Sequence, residues 1–141
     1  LQGVLTYLLK NIQCKNKLDI IKKSETCLAK LAIILDQKMI NLALNDPEWG
    51  LLNFIAKSHS NLTGEALKHA RNGLLCLAQI IKTHNIEVRH WAKDIAHLLQ
   101  TVIDKFKRHN DIDNIEVVCD ILDAALTALS YLIRTFSREL R

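Results

Sequence analysis

Residues 114–136 read NIEVVCDILDAALTALSYLIRTF, and this stretch holds too many apolar side chains for a helix with a free face. Fifteen of the twenty-two residues from Ile115 to Phe136 are apolar. Asp113 is followed three residues later by Glu116, a capping-box pattern that starts a helix. A helix that is apolar almost all round lies inside a core or is covered by another surface. The stretch therefore predicts a long helix that is buried on several sides.

If this helix lay at the edge of its domain, it would leave a large apolar patch in water. Monomeric proteins seldom expose apolar patches beyond on the order of a few hundred Å². We therefore expect the helix either to run through the middle of the bundle or to mediate self-association or the binding of a constant partner. The residues predicted to carry that contact are Leu126, Leu129, Tyr131, Leu132, Ile133 and Phe136.

The tetrapeptide NIEV that opens this stretch also occurs at residues 85–88, where a second helical pattern begins. Asn85 is a suitable N-cap for that second helix. One interpretation is a structural repeat, in which the two helices are equivalent and roughly parallel, with Val88 and Val117 both inward. The other is chance recurrence, with the two helices packed as antiparallel neighbours in one hairpin.

The remaining sequence is also helical in its periodicity. One Pro and four Gly are too few turn residues for an all-β chain of 141 residues. Asp36, the Asp46–Pro47 step and Thr63 mark helix starts, and Gly73 is expected to split or kink its helix. Short polar connectors make sequential helices pack antiparallel. We predict one all-α domain over residues 1–141, with six to seven helices stacked as an α-solenoid or a compact superhelix.

Composition and chain start indicate the setting of this domain. Apolar residues make up 49% and charged residues 24%, which is typical of a globular protein. The chain begins at Leu1 without a Met, and it shows no signal peptide and no apolar run that could span a bilayer. We interpret it as a piece excised from a larger intracellular protein, cytoplasmic or nuclear, with no membrane partner.

Positive charge concentrates on the helix that follows residue 85. The net charge of the chain is +4. A basic ridge could dock an acidic peptide or a phosphate backbone. Cations in the last turn of a helix also complement its dipole, which is the alternative explanation for Lys107 and Arg108. The predicted partner-binding residues, named the basic ridge below, are Arg89, His90, Lys93, His97, Lys105, Lys107 and Arg108.

No pattern in the sequence predicts catalysis, a cofactor or a metal. His90 and His97 share a helix face but lie two turns apart, about 10.5 Å, too far to bind one metal together. The sequence has no HExxH motif, P-loop, nucleophile elbow or dinucleotide fingerprint. We therefore expect no enzyme activity and no catalytic, cofactor-binding or metal-binding residues.

The four cysteines form no CxxC pair, so the usual zinc spacing is absent. Three of them lie within helical patterns beside apolar residues, where free thiols behave as small hydrophobes. We predict that all four are reduced, and that the helical three are buried. The cysteines are Cys14, Cys27, Cys76 and Cys119.

Residues 74–99, LLCLAQIIKTHNIEVRHWAKDIAHLL, resemble a HEAT repeat. The resemblance rests on a polar turn followed by Asn85, Val88, Arg89 and Ala92, with apolar residues continuing the second helix. It implies a HEAT/armadillo-like α-solenoid, in which helix pairs stack and a concave face holds partners. In such stacks, the residue that matches Arg89 ties adjacent repeats together.

These observations favour a non-enzymatic protein–protein interaction or scaffold module that binds a partner helix or an acidic peptide, with a homodimer as one form of that contact. One alternative is a nucleic-acid-binding helical domain, which needs the lysines of residues 10–38 to share a face with the basic ridge. A second is a secreted, cytokine-like helical bundle, suggested by size, four cysteines and basic charge. A third is a compact superhelical domain that binds protein tails.

Overall fold

The fold was analysed in a computed structural model, which describes residues 2–13, 17–58, 64–84, 87–108 and 114–138. These residues form seven α-helices and no β-strand, so the predicted all-α fold is confirmed. A 3₁₀ turn, Arg89–Trp91, leads directly into the sixth helix. The helices are α1 (Gln2–Gln13), α2 (Leu18–Ala32), α3 (Gln37–Asn45), α4 (Leu51–Ser58), α5 (Gly64–Thr83), α6 (Ala92–Phe106) and α7 (Ile115–Phe136).

The helices pack in two rows. Helices α2, α5 and α7 follow one another along one row, with α5 between the other two. Helices α1, α3, α4 and α6 pack in sequence along the other side. Across the rows, α1 packs on α2, α4 on α5 and α6 on α7. Since short connectors join α1 to α2 and α4 to α5, these pairs are antiparallel hairpins.

Helices α6 and α7 also form an antiparallel hairpin. The Arg89 guanidinium, just before α6, lies 5.7 Å from the ring centroid of Phe136 at the end of α7. The beginning of one helix therefore lies beside the end of the other. The prediction of two equivalent, parallel NIEV helices is wrong, because the first copy leads into a 3₁₀ turn while the second forms the first turn of α7. Val88 is buried, but Val117 is only partly buried.

Side chains define the connections around α3. As predicted, Asp36 caps α3, with its Oδ1 accepting a 2.9 Å hydrogen bond from the backbone N of Met39. The helix start predicted at Asp46–Pro47 is wrong. A carboxylate oxygen of that aspartate accepts a 2.8 Å hydrogen bond from the backbone N of Trp49, which closes a turn. The next helix, α4, then begins at Leu51.

The other predicted helix starts fall partly outside the described residues. The N-cap positions at Thr63, Asn85 and Asp113 all lie there. The helix expected to follow Asn85 becomes α-helical only at Ala92, after the 3₁₀ turn. Its apolar residues recur at helical spacing on one stripe, and all of them are buried: Val88, Ala92, Ile95, Leu99, Val102 and Phe106.

Helix α5 is the centre of the fold and is not interrupted at Gly73. It runs without a break from Gly64 to Thr83. A Cβ atom at Gly73 would lie 3.1 Å from side-chain atoms of both Phe54 and Ile55. The glycine therefore lets α4 approach α5 closely, rather than kinking the helix as predicted.

Candidate interaction surfaces

Helix α7 has one face in the core. A residue advances about 100° round a helix, so the direction of each side chain follows from its number. The face turned to α5 and α6 consists largely of small and aliphatic side chains, which allow close helix packing. Its buried residues are Val118, Ile121, Ala124, Ala125, Ala128, Leu132 and Phe136.

This arrangement divides the predicted self-association residues. Leu126 and Ile133 are exposed, by 53% and 50% respectively. Leu129 and Tyr131 are partly buried and pack against the core. Leu132 and Phe136 are fully buried, so the prediction that they form a free contact surface is wrong. Their side chains point towards the neighbouring helices, which the apolar pattern of α7 could not reveal.

A second apolar line, which we name the outer seam, runs along α7 beside its core face. Ile115, at the beginning of this line, is 48% exposed, and Leu126 and Ile133 are exposed to a similar degree. Cys119 is also exposed, while Leu122 and Leu129 are partly buried. The spacing of 4-3-4-3-4 is the heptad pattern with which one helix packs on another. The outer seam consists of Ile115, Cys119, Leu122, Leu126, Leu129 and Ile133.

Three residues of the outer seam were missed from the sequence: Ile115, Cys119 and Leu122. The heptad spacing was present in the sequence and could have identified them. It was obscured because the core face of the same helix is equally apolar. From Ile115 to Ile133 the helix has nineteen residues, so the outer seam extends about 27 Å, at 1.5 Å of rise per residue.

A polar flank separates the outer seam from α5. It carries the exposed side chains Glu116, Asp120, Asp123 and Arg134. A carboxylate oxygen of Asp120 lies 4.0 Å from a guanidinium nitrogen of Arg71 on α5. Since Asp120 is about 140° round the helix from Ile115, the outer seam points away from α5. The seam therefore faces the position where a further helix of the row would pack.

The basic ridge is exposed for most of its length but is not purely basic. Asp94 and Asp104 are exposed on the same helix. The Lys107 ammonium donates a 3.1 Å hydrogen bond to Asp104, and Gln100 donates another at 3.2 Å. These two hydrogen bonds lower the pKa of the Asp104 carboxyl. The ridge is therefore a mixed surface with a small excess of positive charge.

The N-terminal end of the ridge contacts protein groups. Arg89 lies over the ring of Phe136, an arrangement in which the aromatic face attracts the cation. The ring centroid of His90 lies 5.2 Å from that of Trp91, edge to face. Lys93, His97 and Arg108 are exposed, whereas Lys105 is partly buried. Arg89 is therefore exposed and also connects the beginning of α6 with the end of α7.

A groove of about 310 Å³ lies beside the ridge, between α3 and the 3₁₀ turn. The Trp91 indole Nε1 donates a 2.9 Å hydrogen bond to Asn41 across it. Met39, Leu42 and His90 also line the groove. Its mixed lining could accept a short peptide side chain, but it has no charge cluster that would select one.

A second groove, of about 330 Å³, separates α2 from α5. Burial, reinforced by the nearby Glu25 carboxylate, raises the pKa of the Cys76 thiol in this groove to about 12. Burial also raises the pKa of Glu25, against the opposing effect of Arg71 and Lys22. A thiol that stays protonated at neutral pH is a poor nucleophile, so this arrangement does not support thiol catalysis.

The described cysteines Cys27, Cys76 and Cys119 are free thiols. Cys27 and Cys119 are exposed, so the prediction that they are buried is wrong. Both side chains lie on the outward faces of their helices. The apolar residues next to them in the sequence point in other directions, so they do not cover the thiols. Cys14 lies outside the described residues, and its reduced state stays a prediction.

In residues 2–13, 17–58, 64–84, 87–108 and 114–138, no three His, Cys, Asp or Glu side chains are grouped so that they could hold a metal ion. Over the same ranges, each helix is too short or too polar to cross a lipid bilayer.

Comparison with known proteins gives no match to a family model, a curated protein or a solved structure. The HEAT/armadillo resemblance therefore stays a prediction. The candidate site rests on the geometry of α7 alone.

Proposed function

We propose that this chain is a non-enzymatic protein-interaction module that binds a partner helix along the outer seam of α7. The observation that carries the proposal is the heptad line of apolar side chains, of which Ile115, Leu126 and Ile133 stay about half exposed beside the helices that the structure describes. Single exposed apolar residues are ordinary on protein surfaces, but a continuous line of them marks a contact site.

The energetics favour coverage of the outer seam. Ile115, Leu126 and Ile133 are each about half exposed. Removing the remaining exposed area of each from water contributes roughly 1 kcal/mol. A partner helix would also cover the exposed parts of the intervening seam residues. Because these side chains already lie on a packed helix, little backbone ordering opposes binding.

The basic ridge is a weaker candidate for a docking surface than the outer seam. Its charge is offset by Asp94 and Asp104, and its Arg89 already contacts Phe136. An acidic peptide would therefore meet carboxylates as well as cations. A nucleic-acid backbone would meet the same repulsion.

We also propose an intracellular setting for the module. The free thiols Cys27, Cys76 and Cys119 support this, since reducing compartments keep such thiols unpaired. The secreted, cytokine-like alternative has no disulfide among these three residues to support it.

Site-specific photocrosslinking in the native cells tests the proposed contact. A photoreactive residue replaces Leu126 on the outer seam, and the matched control replaces Thr101 on the outward face of α6. We expect a crosslink to a helical protein segment at position 126 only, and its loss when Ile133→Glu is added. Equal crosslinking at both positions, or none at position 126, would contradict the proposal.

A further inference from the structure

We infer that the partner of the outer seam is a second copy of this chain, with the two α7 helices antiparallel about a two-fold axis near Ala124. This inference rests on the proposed function, because it names the occupant of the same surface. It follows from two independent features of α7, the symmetry of its apolar line and the placement of its flanking charges.

The outer seam is symmetric about residue 124. Reversing the helix about that residue exchanges position 115 with 133, 119 with 129, and 122 with 126. Each seam residue of one copy therefore meets a seam residue of the other. A two-fold interface requires such self-complementarity, since the same patch serves both partners. Every apolar line of 4-3-4-3-4 spacing has this symmetry, so the seam permits a second copy and the flanking charges select it.

The flanking charges agree with the antiparallel register. Glu116 and Arg134 both lie on the polar flank of α7, on the same side of the outer seam. In the antiparallel pair, Glu116 of one copy is offset from Arg134 of the other by about 3 Å along the axis, two residues of helical rise. The two-fold axis forms this pair twice. A parallel two-fold pair would instead put the polar flanks of the two copies on opposite sides of the interface, where Glu116 and Arg134 could not meet.

One charged residue opposes association. Asp123 lies on the same flank close to the two-fold axis, so the carboxylates of the two copies approach each other. Opposed like charges on paired helices are destabilising. The dimer is therefore weaker than its apolar seam alone would make it, and replacing Asp123 with Asn tightens it.

The other exposed apolar patch does not have this symmetry. It lies where α1 meets α2, and Val4 and Ile34 line a shallow groove there with Cys27. Packing that patch on the outer seam of another copy would be a head-to-tail contact. Such contacts continue as open filaments unless a rotation closes them. The two-fold pairing through α7 closes after two copies.

Sedimentation velocity of the whole chain over a range of concentrations tests the pairing. We expect the wild type to dimerise, and Glu116→Arg or Arg134→Glu each to raise the dimer dissociation constant about tenfold, since each replaces two attractive pairs with repulsive ones. The double charge exchange should restore the constant to within about twofold of the wild type, as pairing by complementary charge requires. Asp123→Asn should lower the constant.

Lys23→Glu, at an exposed position of α2 beyond α5, is the matched control and should leave the dimer unchanged. Helical circular dichroism verifies that each variant is folded. A double exchange that fails to restore association would overturn the inference. A wild type that stays monomeric, while position 126 crosslinks to a different protein, overturns the second-copy inference but leaves the proposed function in place. A monomer without that crosslink overturns both.

Discussion

At the residue scale, Cys27 and Cys76 carry the same thiol in different surroundings. Cys27 is exposed on α2, whereas Cys76 is partly buried in the groove between α2 and α5, where burial raises the pKa of its thiol to about 12. Only the thiolate is reactive, so we expect Cys27 to be alkylated at pH 8 and Cys76 to react only when the chain unfolds. Mass spectrometry after brief labelling, with and without denaturant, measures both. Rapid labelling of Cys76 in the folded chain would contradict the assignment.

The same thiol makes stability depend on alkaline pH. The folded-state pKa of Cys76 lies above the ordinary thiol pKa of 9.0, so the folded state binds the proton more tightly than the unfolded state. This contribution to stability is complete below about pH 9 and is lost as pH rises towards about 12. Cys76→Ser removes the titrating thiol. This variant should therefore lack the loss of stability at alkaline pH, and it serves as the control.

Leu126 and Leu132 show why single residues of the site could be predicted only in part. They lie six residues apart on α7, yet one is 53% exposed and the other is fully buried. Both are leucines in a helix that is apolar almost all round, so the sequence indicates the same role for each. Their separation depends on where α5 and α6 pack, and that information is not present in the periodicity of α7.

At the element scale, Gly50 lies in the turn between α3 and α4, where the backbone leaves no room for a side chain. A Cβ atom there would lie 2.7 Å from the backbone N and O of Asp46, and Gly50 N already donates a 2.9 Å hydrogen bond to that O. We expect Gly50→Ala to lower the free energy of unfolding by about 1–3 kcal/mol, because the backbone must shift.

Gly3 provides the matched comparison. A Cβ at this position of α1 has no other atom within 4 Å. Gly3→Ala should therefore raise the free energy of unfolding by roughly 0.5–1 kcal/mol, through the better helix propensity of alanine. Urea unfolding of the two variants measures both changes. Equal effects of the same sign would show that the contact at Gly50 does not control the turn.

Elements were more predictable from the sequence than their connections. The buried stripe of α6 and the Asp36 cap follow from local patterns that tertiary packing did not override. The start of α4 was misplaced because Asp46 closes a turn instead of capping a helix. The kink expected at Gly73 is absent because the glycine serves the packing of α4. Such roles depend on a neighbouring helix, which a local pattern does not contain.

At the scale of the whole molecule, the two rows explain why α7 has two apolar faces. Its inner face completes the core against α5 and α6. The outer seam points along the row in the direction away from α5. The sequence predicted correctly that α7 has more apolar surface than a free helix tolerates. It did not separate the two faces, and so it assigned Leu132 and Phe136 to the wrong one.

The most direct test of this division is thermal unfolding, followed by circular dichroism, of Leu126→Glu beside Leu132→Glu at a concentration where the wild type is monomeric. We expect Leu126→Glu to stay within about 0.5 kcal/mol of the wild type, because the substituted side chain is in water. Leu132→Glu should lose more than about 4 kcal/mol or fail to fold, because it buries an unpaired carboxylate. If Leu126→Glu unfolded as well, the outer seam would be part of the core and no free face would remain for a partner.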